Sequence, residues 1–177
     1  MTGECFEVPP TSRVAVRRVA MQVRTAARQE EVEAFPIIDL LELALPRGID
    51  NYVFLVMEMT QMEEEGLTYS SPPTIILRED VYNGACSWNG RDRFTAAHEA
   101  GHLFLHSQVP FARKTHSSKI PAYKSSEWQA NQFAAELMMP IHVVKRMSSA
   151  AELAARTKMS LEAAEIRWNA LRKEGCI

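Results

Sequence analysis

Arg93-Phe94-Thr95-Ala96-Ala97-His98-Glu99-Ala100-Gly101-His102-Leu103-Phe104-Leu105-His106 is the stretch on which the reading of this chain turns. Asp92 can cap a helix running from Arg93 to about His106. On a helix, positions i and i+4 share a face and are separated by about 6 Å of rise, so His98 and His102 can turn toward one point. Two imidazoles so placed, with a carboxylate after the first, form the zinc-hydrolase helix motif. Glu99 sits about 100° round from His98. It would flank a metal rather than bind it, which suits a general base acting on an attacking water. Phe94 and Leu105 lie near the histidine stripe and would wall the site. Gly101 costs up to about 1 kcal/mol in a helix interior, so Ala100-Gly101 suggests that another element packs closely there.

Catalytic zinc takes three protein ligands and leaves one position open, so a third ligand must come from elsewhere. His106 is eight residues from His98, about 12 Å along the same helix, and too far to share one ion. The metzincin extension would need Gly at 105 and His at 108, where this chain has Leu105 and Gln108. A predicted helix over 127–139 offers Glu127 and Glu136. Glu127 shares a face with Asn131, Ala134 and Met138, mostly small or apolar, which can pack on the Gly101 helix. Glu136 is predicted to point the opposite way, toward solvent. Glu127 is the better ligand, and Asn131, one turn on, can orient a ligand from outside the ligand set. An acid at a helix N-terminus is also favoured by the dipole alone, so spacing leaves Glu127 open.

Outward from these helices the pattern is helices, a small sheet, then helices, which is an α+β class. Residues 1–10 read as a loose tail. Thr11 is predicted to cap a helix reaching about Glu33, and Ile37 to Leu45 a second one stopped by Pro46 and Gly48. Tyr52 to Met57 and Thr74 to Leu77 read as strands, Glu63 to Gly66 as a hairpin tip, and Asn83-Gly84 and Asn89-Gly90 as turns. Residues 107–126 read as loop. Ser126 and Gln129 have capping-box spacing for a helix that Pro140 ends, and two further helices are expected near 141–157 and 160–173.

With 177 residues and 46% hydrophobic content, the chain suits a single core-bearing domain, 1–177, with 148–177 as a helical tail packed on it. A net charge of −2 gives no global argument for a nucleic-acid partner. Charge is uneven all the same. Residues 11–28 hold Arg13, Arg17, Arg18, Arg24 and Arg28 with no acid, and residues 30–65 hold ten acids and only Arg47; solvated helix faces are the ordinary expectation for both. Three scattered cysteines, Cys5, Cys86 and Cys176, make no disulfide framework. The N-terminus has no signal-peptide pattern, so a cytoplasmic location is expected.

The segment Arg93 to His106 resembles the active-site helix of the ImmA/IrrE-type metallopeptidases. A second block, Glu127-Trp128-Gln129-Ala130-Asn131-Gln132-Phe133-Ala134-Ala135-Glu136-Leu137-Met138-Met139-Pro140, resembles that family's downstream helix. The resemblance implies a zincin-like fold with N-terminal helices, a small mostly antiparallel sheet, the active-site helix and C-terminal helices. It implies Zn2+ held by His98, His102 and Glu127, with Glu99 as catalytic base. It further implies a cytoplasmic protease that cleaves a helix-turn-helix repressor and so induces genes of mobile elements, DNA-damage responses or antiviral defence. A CapP-like defence-operon subgroup is one the resemblance leaves open. An oxyanion donor is expected, for which His116, Tyr123 and His142 are candidates.

Two regulatory expectations follow from the residues. Cys86 lies twelve positions before His98, and a thiolate there can fill the fourth zinc position and hold the enzyme shut; a small buried hydrophobe fits the same position. The 107–126 loop carries Arg113, Lys114, Lys119 and Lys124 among Phe111, His116 and Tyr123, a composition that can bind single-stranded nucleic acid as an activator, although a solvated loop is the commoner case. The competing reading of the whole is a non-proteolytic antirepressor, a binding module whose metal site is structural. A DNA-binding reading of the 148–177 tail is weakened by its balance, with Glu152, Glu162, Glu165 and Glu174 against Arg156, Lys158, Arg167, Arg172 and Lys173.

Overall fold

A computed structural model describes residues 6–107 and 120–177. Helix α1 (Arg13–Ala26) is followed by α2 (Ile37–Asp39), a π-helical turn (Leu40–Ala44) and α3 (Leu45–Gly48). Strands β1 (Val53–Met57), β2 (Gly66–Ser70) and β3 (Pro73–Arg78) come next, then α4 (Glu79–Cys86) and α5 (Gly90–His106). After a short 3-10 turn (Ala122–Lys124) the chain continues through α6 (Ser126–Met138), α7 (Ile141–Val144), α8 (Ala150–Thr157) and α9 (Leu161–Lys173). The class is α+β, as the element order foretold.

The sheet is mixed rather than mostly antiparallel. Its order is β1-β3-β2, with β1 parallel to β3 and β2 antiparallel to it. β3 is the central strand, paired on both edges, and its Ile75-Ile76-Leu77 run is buried. β2 was not foreseen: it begins where the hairpin tip was expected to end, and only Thr68 and Tyr69 are strand-favouring residues. It forms one edge of the sheet, beside α5.

Helix boundaries move because other side chains win the caps. Ser12, not Thr11, caps α1, its Oγ accepting from Ala15 N at 3.2 Å, while Thr11 Oγ1 donates to Pro9 O. α1 ends at Ala26, where Arg28 turns left-handed at φ 55°. Of the two residues expected to stop the second helical stretch, Gly48 does end it, while Pro46 is carried inside, because the π turn ahead of it widens the ladder and a proline in a first turn needs no backbone donor. Asn83-Gly84 lies inside α4. Asn89 caps α5 in place of Asp92, its Oδ1 accepting from Arg91 N at 3.0 Å. Ser125 caps α6 through Trp128 N, and Ser126 Oγ instead accepts from Phe6 N, so the expected capping box does not form.

That last contact belongs to a larger correction. Residues 6–10 are no loose tail. Val8 is buried, Val8 N donates to Lys124 O at 2.8 Å, Thr11 N donates to Tyr123 O at 3.0 Å, and Glu7 bridges Ser125 antiparallel. Nor is the arginine block of α1 simply solvated. Arg24 is fully buried, stacked on Phe35 and donating to the carbonyls of Leu137, Glu30 and Val32. Burial lowers its pKa to about 10, so it is still charged at neutral pH. At the other end, Leu153, Ala164 and Leu171 of α8 and α9 are buried in the same core cluster as Val16, Phe35 and Leu137.

α5 is the central helix, and α6 crosses it at Gly101. A Cβ there would lie 3.0 Å from Ala130 Cα and O and 3.2 Å from Phe133 Cδ1, so any side chain would need α6 to give by a few tenths of an ångström. The first two of those atoms are backbone and can move only if α6 moves. Gly101→Val is therefore expected to destabilise the fold by about 1–3 kcal/mol, the usual range for overpacking. It should also weaken metal binding, because α6 carries Glu127. Urea midpoints and zinc titration of the variant check both effects, and a neutral result would show that the crossing has slack.

Candidate metal centre

α5 presents Thr95, His98, Glu99, His102 and Leu103 to a cavity of about 330 Å³ whose opposite side includes Gly66, Leu67 and Thr68 of β2 and Glu127 of α6. Phe94 and Leu105, expected to wall it, instead pack against the core. His98 is buried, and its Nε2 lies 2.9 Å from His102 Nε2. Glu127 reaches across from the first turn of α6, with Oε2 3.3 Å from His98 Nε2 and Oε1 3.3 Å from His102 Nε2. Among the described residues these three form the one group of histidine, cysteine, aspartate and glutamate side chains close enough to hold a metal ion.

The donor set fits zinc. Tetrahedral ligation at about 2.0–2.1 Å sets nitrogen and oxygen ligands about 3.3 Å apart, close to the spacings found here. His98 Nδ1 donates to Asn131 Oδ1 at 3.0 Å, which leaves Nε2 as the unprotonated nitrogen and puts Asn131 where the sequence placed it. Electrostatics agree. Burial alone would lower the His98 pKa, but the Glu127 hydrogen bond and the Glu99 and Glu127 charges raise it. Burial alone would raise that of Glu127, but His102 and His98, when an added proton lets their Nε2 atoms donate to it, hold it well below the usual carboxylate range. A site that keeps a half-buried carboxylate charged and draws positive charge to an imidazole is one that a cation satisfies.

Glu99 stands off the trio, as its angle on the helix required. It is buried, and its Oε2 accepts from Thr68 Oγ1 at 2.6 Å. β2 can come this close because residue 66 is glycine; a Cβ there would fall 2.6 Å from Glu99 Cγ. Thr68 had no signal in the sequence, since its strand was unforeseen.

The other sequence candidates lie elsewhere. Cys86 is exposed at the end of α4, outside both the cavity and the trio, so the structure does not bring it to the fourth position. Its helix runs on to residue 86, and the Asn89 turn then leads into α5. Tyr123 is exposed and does not line the cavity. His142 Nε2 donates to Glu30 O at 2.8 Å, again away from the cavity. His116, with Phe111, Arg113, Lys114 and Lys119 of the basic loop, lies outside the described residues; Lys124, the fourth basic residue, pairs with Glu7 at 3.1 Å. Glu136 is not solvent-facing but wholly buried against Arg167. His106, set aside as a ligand in the sequence, is buried beside His102, and burial pushes its pKa down to about 4.

An α+β fold with paired histidines on one helix and a carboxylate from the next is zincin-like. The chain belongs to the Peptidase_M78 family: that family's model, described as the IrrE N-terminal-like domain, matches residues 51–169. The match starts just ahead of β1 and runs into α9, so it takes in the trio, Glu99 and the strands that flank them. It is a metallopeptidase family. No curated protein matches the chain. Among the described residues no helix is long and apolar enough to cross a membrane.

Proposed function

We propose that this chain is a zinc-dependent endopeptidase whose substrate is a helix-turn-helix transcriptional repressor, cleaved to induce a mobile-element, stress or antiphage-defence operon. The observation that carries the enzymatic part is the convergence of His98, His102 and Glu127 at 2.9–3.3 Å, with Glu99 beside them in one cavity. Zinc held by the trio would supply Lewis-acid polarisation of the scissile carbonyl. Glu99 takes the proton of the attacking water on a carboxylate oxygen and returns it to the leaving amine. Thr68 holds Glu99 by one oxygen, so the other is the one available to the water. The repressor as substrate comes from the family resemblance of the 93–106 and 127–140 segments.

The test is direct. The purified chain is incubated with any helix-turn-helix protein found encoded beside its gene, with and without a chelator. Two fragments that vanish with chelator and return with added zinc are expected. An intact repressor under all conditions would overturn the substrate assignment. Relief of repression in cells by the Glu99→Gln variant would favour the docking antirepressor instead, since that change removes the base and keeps every ligand.

A further inference from the structure

Two buried polar side chains beside the trio have no part in the reaction as written: the His106 imidazole and the Gln129 carboxamide. They are joined to the site by a chain of hydrogen bonds whose direction can be derived. Gln129 Nε2 lies 2.9 Å from both Pro9 O and Tyr123 O. Carbonyls only accept, so the amide nitrogen must be on that side and Oε1 must face His106, 3.1 Å from its Nε2. Oε1 also only accepts, so His106 carries its proton on Nε2. Its Nδ1 is then a lone pair, 3.1 Å from His102 Nδ1, and His102 must donate there. A neutral His102 with its proton on Nδ1 turns an unprotonated Nε2 toward His98 and Glu127.

We propose that Gln129 and His106 form a positioning relay that locks His102 in its metal-ligating tautomer and ring orientation, as Asn131 does for His98. The proposal rests on reading the trio as a zinc site. It accounts for the cluster as a whole. With both histidines protonated on Nδ1, two Nε2 lone pairs face each other at 2.9 Å beside a carboxylate, an arrangement that a bound metal ion, or an added proton in its absence, relieves. It also gives the 6–11 segment a purpose. That segment runs beside residues 123–126 and delivers one of the two carbonyls that orient Gln129. A buried histidine that merely fills space would need no such ordering.

The test uses the full-length chain and three variants. His106→Leu removes the acceptor for His102, His106→Asn keeps an acceptor near the Nδ1 position, and Gln129→Met frees the His106 ring to reverse. Zinc affinity is measured by competition with a chromogenic chelator, and the His102 tautomer by nitrogen-15 NMR of the metal-free protein. Loss of a partner outside the ligand set typically weakens metal binding about 10–100-fold. That loss is expected for His106→Leu, with recovery of most of it in His106→Asn. Gln129→Met should convert His102 from a single Nδ1–H tautomer to a mixture. Parent-like zinc affinity in His106→Leu, or an unchanged His102 tautomer in Gln129→Met, would overturn the relay. If His106→Leu does not fold, the other two variants still decide. If the parent itself binds no zinc, the zinc reading fails, and the tautomer measurement judges the relay separately.

Discussion

Glu99→Gln is expected to lower repressor cleavage about 10²–10⁴-fold, the usual contribution of a general base, while zinc stoichiometry and affinity stay at parent values. The geometry makes this a clean change. Glu99 is not among the three groups that converge on one another, so no ligand is lost. Glutamine has the same shape, which matters where the side chain lies against Gly66, and its carbonyl oxygen can accept from Thr68 Oγ1 as the carboxylate does at 2.6 Å. What it cannot do is take a proton from water. The comparison to make is kcat/KM on the repressor against zinc content of the same preparation. Retained cleavage with full zinc would remove Glu99 from the mechanism. Loss of cleavage together with loss of zinc would show that the side chain shapes the ligand set instead of serving as base.

The histidine pair was legible in the sequence because it depends on local periodicity, whereas Glu127 was left open by spacing and singled out by the family resemblance. His98 and His102 are one turn apart on a single helix, and Glu127 with Asn131 shares a face of another. The close crossing at Gly101 could also be anticipated, since a glycine inside a helix is costly without a packing reason. The failures have a common cause in contacts between distant parts of the chain. Gln129 looked like half of a capping box because its partners, Pro9 O, Tyr123 O and His106, are set by the tertiary fold and not by spacing. Thr68 was invisible because β2 is held by β3 and α5 more than by its own propensity. Cys86 was drawn toward the site by sequence proximity and an open fourth position, but it ends α4 outside the cavity. Single-face logic failed for Glu136 too. The side of α6 opposite Glu127 faces not water but α1 and α9, whose arginines meet it there.

Arg167→Met is expected to destabilise the protein by about 3–5 kcal/mol, the cost of removing one partner from a buried ion pair. Glu136 is wholly buried, with Arg167 Nη1 3.0 Å from Oε1 and Nη2 2.5 Å from Oε2. Arg167 Nε also donates to Met139 O at 3.0 Å, so one side chain ties α9 to both the carboxylate and the end of α6. Two donors remain to Glu136 in the variant, Arg17 Nε at 3.1 Å and Gln132 Nε2 at 2.9 Å. Arg17 is partly exposed and already shares its charge with Glu174, which places the expected loss near the lower end of the range. For a chain of this size each kcal/mol moves Tm by about 2–4 °C. Urea midpoints with an unchanged slope would identify the effect as stability rather than altered compactness. The second variant fixes its origin. If the cost is the orphaned Glu136 charge, Arg167→Met with Glu136→Met should recover most of the loss, because a buried pair replaced by apolar groups of similar volume is often neutral. If the double variant is as unstable as the single one, the stabilisation resides instead in the Arg167 bond to Met139 O that holds α9 against the end of α6.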